Sequence, residues 1–178
     1  VRRSIRKAAK LGMTLERSRD ADEYFNLYEQ VLLRHHSRSL PYKRMLHNFL
    51  TKIVPLIYKE KMGEMWLLRT NSGEAAAGEI VLFDNKRVYF WNAANDPRFF
   101  NTGAPCYLKF KLMEEYKGRY KEIDMIEADT PTIAHFKAGF NPKIVPHYAV
   151  EKSSTTYRLL SYMYNFCYWN LYKSLIKR

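Results

Sequence analysis

Residues 64–93 read EMWLLRTNSGEAAAGEIVLFDNKRVYFWNA. Three runs within it, Glu64 to Arg69, Ala76 to Phe83 and Arg87 to Ala93, are rich in apolar and aromatic side chains, which suit a pleated, half-buried surface. Asn71-Ser72-Gly73 and Asp84-Asn85-Lys86 separate them, and Asn, Asp and Gly accept the backbone angles that tight hairpins require. The stretch therefore reads as an antiparallel three-strand meander.

Working outward, residues 2 to 11 read as a helix with basic residues on one side, ended by Gly12 in a left-handed conformation. A strand over Met13 to Arg17 follows. Asp20 then caps a helix reaching about Arg34, with Tyr24, Phe25, Leu27, Tyr28, Val31 and Leu32 at helical spacing. Ser37 to Pro41 breaks that helix. A further helical pattern covers Tyr42 to Tyr58, and Pro55 should kink or end it because proline has no backbone donor. Beyond the meander, a loop leads through Gly103-Ala104-Pro105 into a helix over Pro105 to Tyr116. Glu122 to Ile126 reads as a strand, Pro131 to Lys137 as a short helix, and Lys143 to Glu151 as a last strand. The order β-α-α-β-β-β-α-β-α-β matches the GNAT (acyl-CoA N-acyltransferase) arrangement, an α/β fold with a mixed central sheet. In that fold the strands either side of the long helix, here Arg87 to Ala93 and Glu122 to Ile126, lie parallel and splay apart to leave a cleft.

With 178 residues and 47% apolar composition, the chain suits one compact domain or half of a two-domain enzyme. Thirty Lys and Arg against 18 Asp and Glu leave a net charge of +12, which attracts phosphates, nucleotides, tRNA or an anionic membrane face, or serves solubility alone. Cys106 and Cys167 stand far apart with no CxxC or Cys/His spacing, so neither a disulfide framework nor a metal site is expected. The expected location is the cytoplasm, with peripheral contact at the inner membrane face as an extension. The start Val1-Arg2-Arg3 has no initiator Met and no apolar stretch behind it, so a further upstream domain is expected. Residues 1–152 form the expected transfer domain. Residues 153–178 form a C-terminal aromatic helix, uncharged between Leu159 and Tyr172, which suits docking against a protein surface, including a second GNAT half, or lipid contact.

Three stretches carry a more specific resemblance: Arg2-Arg3-Ser4-Ile5-Arg6-Lys7-Ala8-Ala9-Lys10-Leu11-Gly12, Tyr89-Phe90-Trp91-Asn92-Ala93-Ala94, and His135-Phe136-Lys137-Ala138-Gly139-Phe140-Asn141-Pro142. Together they resemble the FemAB-like acyltransferase superfamily, in which a comparable basic helix opens the second GNAT half and a Phe-Lys-x-Gly-Phe turn lies near its end. The resemblance implies transfer of an acyl or aminoacyl group to an amine acceptor. The donor substrate would be acyl-CoA or aminoacyl-tRNA, with no tightly bound cofactor. It also places Phe136 and Lys137 beside the transfer centre. A fixed ammonium there would stabilise the oxyanion formed when an amine attacks an ester or thioester, or would hold a donor phosphate. A lysine beside a helix-ending glycine also serves as an ordinary surface cation.

The remaining candidates follow from position. Asp124, after the cleft strand, is a base or amine-orienting group, or a cap. Tyr89 and Trp91 face the cleft as substrate-binding residues, or form core. Arg38, behind His35 and His36, would bind an anionic substrate or simply add charge at a helix C-terminus, and Tyr148 would supply a proton to a leaving group or pack within a strand. Thr102, Gly103 and Ala104 stand where a donor-phosphate loop belongs, although Pro105 has no amide to contribute. One cleft bordered by Tyr89, Trp91, Gly103, Asp124, Phe136 and Lys137 is the expectation. The alternative function is a non-catalytic module that binds tRNA, a nucleotide-sugar or a membrane surface.

Overall fold

The structure, a computed structural model, describes residues 1–34, 40–146 and 152–164. It divides into two compact units, Val1–Pro142 and Lys143–Arg178. The first opens with α1 (Arg2–Lys10) and β1 (Thr14–Ser18), then α2 (Ala21–Arg34) and α3 (Leu40–Lys59). The meander follows as β2 (Gly63–Arg69), β3 (Ala75–Phe83) and β4 (Arg87–Asn95). A 3-10 turn, Pro97–Thr102, leads into α4 (Ala104–Tyr116), and β5 (Glu122–Asp124) and α5 (Pro131–Ala138) complete the unit. The sheet order is β1-β2-β3-β4-β5. The first four strands are antiparallel neighbours, and β5 joins β4 in parallel.

Alternation along the strands builds two cores, one on each face of the sheet. Met65, Leu67 and Ile80 pack with Tyr24, Leu27, Leu50, Val54 and Ile57 of α2 and α3. Trp66, Leu68, Ala77, Val81, Val88 and Phe90 face the other way, against Ala8 of α1 and Ala104, Leu108, Leu112 and Tyr116 of α4. The result is a three-layer α/β GNAT fold. Asp20 caps α2 as expected, its Oδ1 accepting from the Glu23 amide at 2.9 Å. Gly12 and Gly73 take positive φ at the turns assigned to them.

Three expectations are corrected. The second long helix starts at Leu40, so Pro41 occupies its first turn, where proline's fixed φ is already helical. Of the two outcomes expected at Pro55, a kink or an end, the end does not occur, since the helix continues to Lys59. The strand foreseen over Glu122 to Ile126 stops at Asp124, for the local reason given below. Of the strand foreseen over Lys143 to Glu151, residues 143–146 have no strand pairing, and 147–151 lie outside the described residues. In the second unit, residues 155–164 are helical, and Ser154 Oγ accepts from the Tyr157 amide at 3.1 Å. The rest of the aromatic helix foreseen there lies outside the described residues. No helix among the described residues is long and apolar enough to cross a membrane.

Candidate active site

The sheet opens where β4 and β5 part. Their pairing is confined to Arg87 with Glu122, Val88 with Ile123 and Tyr89 with Asp124, while β4 continues to Asn95. Asp124 ends the ladder itself: its Oδ1 accepts the Ile126 amide at 2.6 Å, and Ile126 takes a φ of 45°, rare for a branched residue. The chain is thereby turned off the sheet. On the β4 side, a bulge sets Ile80 opposite Asn92 and Val81 opposite Phe90, leaving Trp91 as the extra residue. The Tyr24 hydroxyl donates to the Asn92 carbonyl at 2.6 Å and lies 2.8 Å from its Oδ1, so α2 holds that part of the bulge in place.

Three charged side chains converge on the α4 side of this opening. Glu79 stands in β3 between Ala77 and Val81 and opposite Ala93 of β4, well above the last β4–β5 pair. It is fully buried, and its Oε2 accepts from Lys109 Nζ of α4 at 2.6 Å. Oε1 of Glu79 has no hydrogen-bond partner among the described residues. Lys109 is itself 7% exposed and lies 4.9 Å from the centre of the Phe90 ring. Lys137 of α5 donates to the carbonyls of Met125 at 2.5 Å, Ile126 at 3.3 Å, and Glu127. Burial holds the Lys137 ammonium below the ordinary lysine range and the Lys109 charge adds to that, while Glu79, Glu127 and Asp124 oppose it. Burial likewise raises the Glu79 carboxyl, against the opposing charges of Lys109 and Lys137.

The residues singled out from sequence fall into several places. Asp124 and Lys137 meet at the opening, Asp124 shaping the turn with its carboxylate and Lys137 bonding that turn's carbonyls. Phe136 is half-buried and packs edge-on against Phe140, with ring centres 5.6 Å apart. Tyr89 lies at the closed end of the wedge, and its hydroxyl donates back to Asp84 Oδ2 in the hairpin at 2.8 Å. Trp91 faces α3 and packs edge-on against Phe49, whereas Gly103 is on the α1 side of the sheet. A single cleft bordered by all six residues is therefore not what the fold builds. Arg38 and Tyr148 lie outside the described residues.

The donor loop is filled from within the protein. Gly103 takes a φ of 87°, and a β-carbon there would fall 2.3 Å from the Ser4 carbonyl oxygen of α1. The Ala104 amide donates to Thr102 Oγ1 at 3.3 Å, and Thr102 Oγ1 donates to the Phe99 carbonyl at 2.5 Å. The Lys7 ammonium adds a 2.6 Å bond to the Asn101 carbonyl. Thr102, Gly103 and Ala104 thus come together at the start of α4, but as the seat of α1. The Phe-Lys-x-Gly-Phe turn has a matching part: a β-carbon at Gly139 would meet Val1 Cγ2 at 2.2 Å. Gly139 itself is right-handed, and Asn141, at a φ of 54°, reverses the chain. Glu79 and Lys109 escaped the sequence reading, although a lone acid in the middle of AAAGEIVLF was a visible anomaly.

Comparison with known proteins agrees with this architecture. A family model described as an acetyltransferase (GNAT) domain matches residues 1–138. No curated protein matches the chain in sequence. A protein of Clostridium acetobutylicum described as a predicted acetyltransferase, solved with acetyl-CoA, superposes with a TM-score of 0.60 at 12% identity, over 79% of this chain and 96% of that one. A GCN5-related N-acetyltransferase from Ralstonia eutropha gives 0.58 at 14% identity, over 80% and 99%. FemX gives 0.57 at 12% identity, over 76% of this chain and 52% of FemX. At such identities the likeness is one of fold.

Proposed function

Because the chain belongs to the acetyltransferase (GNAT) domain family, we propose that it is an N-acyltransferase that moves an acyl group from a CoA thioester to an amine in the wedge between β4 and β5. The observation that carries this reading is the parting of those strands after Tyr89 and Asp124, with Lys137 fixed against the turn that follows β5. In the reaction the amine nitrogen attacks the thioester carbonyl, a C–N bond forms as the C–S bond breaks, and the amine proton ends on the departing thiolate. Charge builds on the carbonyl oxygen in between, and a cation held against the wall of the wedge stabilises it more in the transition state than in the ground state. Lys137 is the residue assigned to that task. Asp124 shapes the wall, and Phe136, the neighbour of Lys137 on α5, packs on Phe140.

Thiol release from acetyl-CoA across a panel of amines, with aminoacyl-tRNA as a parallel donor, tests the assignment. Lys137→Ala should lower turnover on the order of 10²-fold while donor affinity changes little. Full activity in the variant would remove Lys137 from the mechanism. Use of aminoacyl-tRNA in preference to acetyl-CoA would favour a FemAB-like placement, which the FemX likeness and the Phe136-Lys137 turn support.

A second reading has its own observation in favour. The loop that should receive a donor pyrophosphate has its Ala104 amide engaged by Thr102 Oγ1, its Gly103 amide engaged by the Phe100 carbonyl and its glycine pressed on Ser4. In that reading the domain is a binding module, and the outer face of α1 meets the anionic partner. Donor binding without any turnover would support it.

A further inference from the structure

We propose that the buried Glu79–Lys109 pair is a positioning element of the transfer site, standing level with the open part of the wedge and governing the charge that Lys137 presents there. This deepens the acyl-transfer reading and rests on it. Three observations carry it. An ion pair of 2.6 Å, with side chains 0% and 8% exposed, is sunk in a core otherwise built of Ala, Val, Leu, Met and aromatic groups. Removing two charges from water carries a large desolvation cost that their attraction only partly offsets, so such a pair is a poor way merely to glue α4 to β3. Its second carboxylate oxygen is buried and has no hydrogen-bond partner among the described residues, which a purely structural pair would be expected to satisfy. Finally, the pair stands level with the open part of the wedge, and both members act through space on Lys137.

The groups that face Lys137 are Glu79 from β3, Lys109 from α4, Asp124 from β5 and Glu127 from the loop beyond it. Lys109 repels the Lys137 ammonium, and Glu79 cancels part of that repulsion. Removing only Glu79 leaves Lys109 uncompensated and favours neutral Lys137. Replacing both by apolar side chains of similar size removes the two opposed influences together, and such a replacement is often neutral for stability.

The test compares wild type, Glu79→Gln and the double variant Glu79→Met/Lys109→Met. Thermal unfolding reports folding, NMR titration of the Lys137 ammonium reports its protonation, and the pH profile of thiol release from acetyl-CoA reports turnover. In Glu79→Gln the Lys137 midpoint should fall by about one pH unit, a tenfold larger neutral fraction, and the alkaline limb of the rate profile should move down with it. In the double variant the fold should persist, and the midpoint should return above that of Glu79→Gln. If Glu79→Gln fails to fold, wild type against the double variant remains decisive, with an upward midpoint expected since the Lys109 influence outweighs that of Glu79. An identical Lys137 titration in every folded variant overturns the inference, whatever the activity. An inactive wild type with shifted titrations instead overturns the acyl-transfer reading and leaves the coupling standing.

Discussion

Gly103 shows how one residue commits a loop. At a φ of 87° an L side chain costs roughly 1–2 kcal/mol, and here its β-carbon would also collide with backbone of α1 rather than with a movable side chain. Gly103→Ala should therefore destabilise the fold by about 2–4 kcal/mol in urea unfolding, more than a left-handed alanine alone explains. The strain has a local readout. Cys106, one turn into α4, is half-buried, and burial raises its thiol against the opposing hydrogen bond from Ser4. If alanine lifts α1 from its seat, alkylation of Cys106, located by mass spectrometry, should accelerate in the variant. An unchanged rate together with an unchanged midpoint would mean that α1 does not depend on this contact. The same residue explains why a glycine before a helix was read from sequence as a phosphate cradle: positive φ and close approach are needed in both cases, and the sequence does not name the approaching group.

At the scale of elements, α3 carries its own test. Pro55 is exposed inside a 20-residue helix and absent from both cores, and it leaves the carbonyl of Thr51 without its helical donor. A proline in a helix interior is unfavourable by about 3 kcal/mol, partly offset because proline also restricts the unfolded chain. Pro55→Ala should thus stabilise the domain by roughly 1–2 kcal/mol, read as a rise in the thermal midpoint. A lower midpoint would show that the helix is built around the proline's bend. Elements of this kind were legible because their signals are local: the periodicity of α2 and α3, the Asp20 cap, and the hairpin residues at 71–73 and 84–86 all appear where the sequence put them. The end of β5 was not, because Met125 and Ile126 are apolar enough to extend Glu122-Ile123-Asp124 as a strand and only the Asp124 carboxylate, folding back on the Ile126 amide, stops the ladder. The site was read in part. Lys137 and Asp124 do meet, but Tyr89 and Trp91 were assigned to one wall by simple alternation, which neither registers the bulge at Trp91 nor shows that the Tyr89 hydroxyl returns to Asp84. Glu79 and Lys109 stand 30 residues apart and pair only once α4 lies on the sheet.

For the molecule as a whole, a charge of +12 matters through where it is concentrated. Arg2, Arg3, Arg6, Lys7 and Lys10 fall on one arc of α1 and line a shallow groove of about 630 Å³, while Ala8, on the far side of the helix, is buried in the core. Lys7 is tied to the Asn101 carbonyl. Arg2, Arg3, Arg6 and Lys10 enter no ion pair among the described residues, and α1 carries no acid of its own to screen them. Such a face favours phosphates spaced along a partner, and each phosphate it neutralises releases bound counterions, so its share of any affinity is read from salt dependence rather than from strength. The expected result for tRNA is a log-log salt slope that loses about 0.7–0.9 per basic residue removed, hence roughly 3 in the quadruple variant Arg2→Ser, Arg3→Ser, Arg6→Ser, Lys10→Ser. The β4–β5 wedge lies outside these four positions, so acetyl-CoA turnover should persist in that variant if the domain is an enzyme that uses α1 only for docking. A slope equal to that of the wild type would assign the surplus charge to solubility, and equal loss of tRNA binding and of CoA affinity would place the donor's phosphates on α1 itself.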